Sequence, residues 1–218
     1  MRIIDNLNNI ISERHLLKHD FYQAWSQGKL TQEILQNYAS QYYHQVKSFP
    51  RFISRVHTGC PVIEARKVLL ENLVDEEIHG MDHPALWMQF AEGMGATRER
   101  VLNDAPLMET TAMVDKFYEL AGRDWRDGLC ALYAYESQVP EVSSSKIAGL
   151  KQFYGIQDAK TLEFFTAHQA YDVGHAEQVA GLIEAYVEPE YAARATREAA
   201  DALCGFLDGM CRVSNIHC

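Results

Sequence analysis

No two cysteines of the chain stand in a CxxC pair. The five are scattered at 60, 130, 204, 211 and 218, which argues against a disulfide framework and a structural zinc site alike. Cys130 falls in an apolar helical run and reads as a small core residue. Positive charge is also scarce: 20 Lys and Arg stand against 30 Asp and Glu, a formal net charge of −10. That balance repels phosphate backbones and anionic lipid, so neither nucleic acid nor a membrane surface is an expected partner. No apolar run approaches the roughly 20 residues that cross a bilayer. The opening "MRIIDNLNNIISERH" has charges on both sides of a short apolar patch, unlike a signal sequence. A cytoplasmic protein is expected.

Alternating strand patterns, Asn-Gly hairpins and internal repeats are missing as well. Helical periodicity is what remains, and it runs through almost the whole chain. The expectation is a single all-α domain over residues 1–218, a compact helical bundle. Thr31 is placed to cap a long helix that Pro50 kinks or interrupts. A helix beginning at "VIEARKVLLENLVDEEIHG" runs toward "GMDHP", where Gly80 and Pro84 weaken it.

The stretch "EFFTAHQAYDVGHAEQVAGLIEAY" is an amphipathic helix with polar groups on its apolar stripe. Helical residues advance about 100° each, so His168, Asp172 and His175 fall within roughly 60° of arc. Phe164, Val179 and Leu182 share that arc. Elsewhere the stripe Ala65, Leu69, Leu73 continues through Glu76, Gly80 and His83, if the helix lasts that far. Leu129, Leu132 and Val139 share a face with Glu136. Burying such groups unpaired costs several kcal/mol, about 1–3 even for a neutral one. No Arg or Lys lies on these stripes. Three carboxylates and three imidazoles delivered from helices to one core fit a two-metal site, and mixed O/N ligation suits iron or manganese. Open positions there would bind and reduce O₂. Taken singly, each inward histidine also reads as a satisfied core residue. Glu76 and His79 form a rival Glu-x-x-His pair, and His15 and His19 read as ordinary side chains.

The motifs "DEEIHGMDH", "YAYESQVP" and "HQAYDVGHA" resemble those of the haem-oxygenase-like di-metal oxidases, relatives of the TenA and PqqC proteins. Within them, "HDFYQAWSQGKLT", "YHQVKSFPRF", "IEARKVLLENL" and "CGFLD" extend the similarity to the chlamydial CADD group along nearly the whole chain. The resemblance implies a haem-oxygenase-like bundle, two metal ions (Fe/Fe or Fe/Mn), O₂ and a reductant as co-substrates, and a homodimer. It implies Glu76, His83, Glu136, His168, Asp172 and His175 as metal ligands. It further implies a self-sacrificing synthesis of p-aminobenzoate for folate, with Tyr22 as the ring source and Lys146 as the amino donor. Tyr38 and Tyr135 are further candidates for carrying a radical. Without the resemblance, Tyr22 reads as a packing aromatic and Lys146 as a solvated surface charge. Competing expectations are a di-metal oxidase acting on an external amino acid or fatty acid, a metal-free PqqC-like or TenA-like enzyme, and a helical interaction module.

Overall fold

A computed structural model describes residues 2–217, apart from the side chains of residues 170–172. Twelve α-helices and one 3₁₀ turn, with no strand, make up the described residues. In chain order they are α1 (Ile3–Glu13), the 3₁₀ turn (Leu16–Lys18), α2 (Asp20–Ser26), α3 (Gln32–Val46), α4 (Phe49–Gly59), α5 (Ile63–Glu77) and α6 (His83–Gly93). There follow α7 (Arg98–Asn103), α8 (Met108–Arg123), α9 (Trp125–Glu136), α10 (Val139–Phe153), α11 (Ala159–Tyr186) and α12 (Pro189–Ser214). None of the described helices is long and apolar enough to cross a membrane.

Local chemistry sets these boundaries. Thr31 Oγ1 accepts from the Ile34 amide at 3.2 Å and so caps α3. Pro50, Pro84 and Pro140 each lie in the first turn of a helix, where the missing N–H costs nothing. They therefore divide segments that periodicity alone runs together. The Pro50 stretch becomes α3 and α4, and Val139, expected on one helical face with Leu129, Leu132 and Glu136, instead opens α10. Short α7, capped by Thr97, has too few turns for a periodic signal.

The end of α5 corrects one expectation. The helix stops at Glu77, and Gly80 takes φ +81°, a left-handed conformation that glycine adopts without steric cost. The stripe therefore does not run on through Gly80 to His83. His83 instead opens α6, where Asp82 Oδ1 accepts from the Ala85 amide at 2.8 Å. Leu73 is also only partly buried. The inward row of α5 is Ala65, Leu69, Asn72 and Glu76.

Helix α9 lies at the centre, packed against α4, α8, α10, α11 and α12. From Asp127 to Glu136 every one of its residues is buried. Its leucines each contribute roughly 1.5–3 kcal/mol of apolar burial. Cys130 is among them, and burial pushes its thiol up to about 12, so it is an inert core residue as expected. Helix α2 docks on α10 because Gly149 leaves room for an indole: a Cβ there would stand 2.8 Å from Trp25 Cδ1. That approach brings Tyr22 and Lys146 into the same interior.

Candidate metal centre

Helices α5, α6 and α11 bring Glu76, His83 and His168 together, with one donor atom from each lying within 4.8 Å of the others. All three are almost fully buried. His83 Nδ1 stands 2.8 Å from Glu76 Oε2, and the rings of His83 and His168 are 4.3 Å apart between centres. His168 Nδ1 lies 2.7 Å from the Phe164 carbonyl oxygen. A carbonyl only accepts, so Nδ1 carries the proton and Nε2 is the basic nitrogen. Burial, and then the neighbouring His83, hold the His168 pKa well below its ordinary value. A neutral imidazole with its other nitrogen tied to a carbonyl is the usual form of a metal-ligating histidine. The donor set thus fits a divalent ion.

Glu136 of α9 and His175 of α11 are also buried but stand outside that 4.8 Å group. Both are tied to α5. Asn72 Nδ2 donates to Glu136 Oε1 at 2.6 Å. His175 Nε2 lies 2.8 Å from Asp75 Oδ2. Asp75 Oδ1 is 2.6 Å from Nδ1 of the exposed His79. Burial pushes the Asp75 carboxyl up, but the bonds from His79 and His175 outweigh it and its pKa falls below the ordinary value. Neither Asn72 nor Asp75 figures among the residues expected from sequence. Asn72 could have been found, because it lies one turn before Glu76 on the same row. His79 pairs with Asp75 at the surface, which removes the rival Glu76–His79 pair. The side chain of Asp172 lies outside the described residues. A cleft of about 440 Å³ between α1, α9, α10 and α11 reaches Glu136.

A second cluster surrounds Lys146, which is only 4 % exposed and so corrects the reading of a solvated surface charge. Its Nζ lies 2.6 Å from the Tyr38 hydroxyl, and that hydroxyl is 2.7 Å from the one on Tyr22. The rings of Tyr22, Trp25, Tyr38, Tyr42, Trp87 and Phe165 surround Nζ at 4.7–5.9 Å, with Tyr22 nearest at 4.7 Å. No carboxylate pairs with it among the described residues, and burial pushes its pKa well below the ordinary lysine value. Burial likewise pushes the hydroxyls of Tyr22 and Tyr38 up. The Tyr42 hydroxyl donates to that of Tyr135 at 3.0 Å, which carries hydroxyl contacts to the neighbour of Glu136.

The two clusters share a wall. Phe164 lies tilted against His168 with centres 4.1 Å apart, Trp87 meets Phe164 at 4.8 Å, and Tyr42 meets Trp87 at 5.0 Å. The ligand-type residues and the Lys146 cage are therefore joined by ring contacts with no polar break.

A sequence profile of the family described as "Iron-containing redox enzyme" matches residues 36–206. A 4-aminobenzoate synthase of Nitrosomonas europaea is 41% identical over 94% of this chain and 89% of its own. Another, of Chlamydia trachomatis, is 39% identical over 95% of this chain and 91% of its own. Among solved structures, a TenA homologue from Pseudomonas syringae superposes with a TM-score of 0.82 at 17% identity, over 96% of this chain and 91% of the other. That likeness shows the fold, and it agrees with the helical bundle described above.

Proposed function

The chain belongs to the family of iron-containing redox enzymes, and from that premise we propose that it makes 4-aminobenzoate out of its own Tyr22 and Lys146. The observation that carries this reading is the position of Lys146. A buried amine sits 4.7 Å from the centre of the Tyr22 ring, one ring wall away from Glu76, His83 and His168. Similarity to proteins named 4-aminobenzoate synthase over most of the chain supports it.

The Tyr22 Cβ becomes the carboxylate carbon, so Cα–Cβ breaks, Cβ is oxidised and Cα takes a hydrogen, leaving a glycyl residue. The ring carbon para to Cβ exchanges oxygen for nitrogen: a C–N bond to Lys146 Nζ forms as the phenol oxygen leaves as water, and Nζ–Cε breaks with Cε oxidised to an aldehyde. O₂ is the oxidant, and an external reductant supplies the electrons its reduction needs beyond those the side chains release. We assign two metal ions, Fe/Fe or Fe/Mn, to Glu76, His83, Glu136, His168, Asp172 and His175. When bound, they supply the redox chemistry that activates O₂.

The chain's own residues do the rest. Burial favours the uncharged form of the Lys146 amine, whose lone pair an ammonium lacks. Tyr38 holds that amine beside the Tyr22 ring, so the reacting groups meet at high effective concentration. The ring cage excludes water, which would otherwise compete for an oxidised ring. Tyr38 Oη touches both partners and is placed to pass a proton between them. Tyr42, one wall of the cage, hydrogen-bonds Tyr135, the residue before Glu136 in the chain.

Isotopes test the assignment. Protein carrying ring-¹³C tyrosine and ε-¹⁵N lysine is supplied with Fe(II), Mn(II), a reductant and O₂. The expected 4-aminobenzoate carries both labels and is lost in Tyr22→Phe and in Lys146→Met. Unlabelled product from labelled protein would assign the ring and the nitrogen to an external substrate.

A further inference from the structure

Three residues in the last two turns of α5 each touch a ligand-type side chain on a different helix. Glu76 Oε2 meets His83 of α6 at 2.8 Å. Asn72 Nδ2 meets Glu136 of α9 at 2.6 Å. Asp75 Oδ2 meets His175 of α11 at 2.8 Å. Positions 72, 75 and 76 are neighbours on one helical surface. One helical segment therefore touches three other helices.

The contacts made by Asn72 and Asp75 have a definite chemical sense. An amide nitrogen can only donate, so Asn72 holds the Glu136 carboxylate by Oε1 and sets its orientation. Asn72 is itself 1 % exposed, and a buried amide aimed at a buried carboxylate is costly unless the pair is kept. A carboxylate oxygen accepts, and Asp75 Oδ2 stands 2.8 Å from His175 Nε2, so Asp75 keeps the His175 proton on Nε2. That makes Nδ1 the basic nitrogen, as the Phe164 carbonyl makes Nε2 the basic nitrogen of His168.

We propose that Asn72 and Asp75 are positioning residues of the metal centre: Asn72 fixes the orientation of the Glu136 carboxylate, and Asp75 fixes the tautomer and orientation of His175. Neither is itself a ligand. The inference rests on the metal-centre reading of the previous subsection. It also divides the site, because Glu76, His83 and His168 gather without help from Asn72 or Asp75. Losing either one weakens the half served by Glu136 and His175 and spares the other half.

Cobalt(II) titration of the full chain under anaerobic conditions tests this, read by visible absorption and by bound cobalt after gel filtration. Wild type is expected to take up about two equivalents. In Asp75→Ala one equivalent stays tight and the other weakens by about 10–100-fold, with a change in the absorption bands of the weakened site. Asp75→Asn, which still offers an oxygen to Nε2–H, falls between the two and keeps the test open should the alanine variant misfold. Asn72→Leu, with no donor, behaves like Asp75→Ala. Two equivalents with unchanged affinity and spectrum in folded variants would overturn the positioning role and leave the metal centre standing. Tighter binding in Asp75→Ala would also overturn it, by making Asp75 a competitor for His175. Failure of wild type to bind cobalt at all would overturn the metal reading together with this one.

Discussion

Lys146 donates to Tyr38: Nζ lies 2.6 Å from the tyrosine hydroxyl, in a ring cage with no carboxylate among its described contacts. The pairing explains how a lysine is tolerated at 4 % exposure. An amine needs one acceptor, which Tyr38 provides, whereas an ammonium in that place would also need a counter-charge. Tyr38 in turn meets the Tyr22 hydroxyl, so one phenol orders both residues proposed to react.

Lys146 should cost the protein stability at neutral pH. Its folded pKa lies below the ordinary 10.5, so between the two values the unfolded chain holds one more proton than the folded one. Stability then rises with pH across that window. Lys146→Met, which fills similar space without the amine, is expected to gain about 1–3 kcal/mol at pH 7. The gain should shrink as pH climbs toward 10.5. Calorimetry of both proteins at pH 7 and pH 9.5 checks it. A pH-independent difference, or a less stable variant, would mean that the ring faces hold the lysine as an ammonium.

His19 caps the helix that carries Tyr22. Its Nδ1 accepts from the Phe21 amide at 3.2 Å, and its Nε2 lies 3.1 Å from Asp208 Oδ1. His15 caps the preceding 3₁₀ turn in the same way. His19→Ala removes the cap and should cost about 0.5–2 kcal/mol, with His19→Asn recovering part of it. Urea unfolding midpoints decide the matter. Equal midpoints in all three proteins would show that the imidazole contributes nothing to α2.

Much of the centre is legible in the sequence because a buried polar group on a helical stripe stands out against leucine and valine. Glu76, Glu136, His168 and His175 are all inward, as their phase requires. For His83 the stripe misleads: periodicity carries α5 past Gly80, while the chain turns there and restarts at His83 with Pro84 in its first turn. The chain returns to the same place by tertiary packing, which no periodic count can supply. Asn72 is legible in principle, being on the inward row. Asp75 is not, because it lies off that row and reaches His175 with its side chain. Lys146 was hidden for a different reason. A lone lysine in a helix is ordinarily exposed, and only the aromatic residues converging from α2, α3, α6 and α11 bury it.

Metal binding by Glu76, His83, His168 and their neighbours is read by elemental analysis of protein loaded anaerobically with iron and manganese, comparing wild type with Glu136→Ala and Glu76→Ala. About two ions per chain are expected in wild type, with a steep fall in each variant. Substoichiometric metal in wild type, unchanged by either substitution, would contradict that binding and leave these residues as a polar core joined by hydrogen bonds.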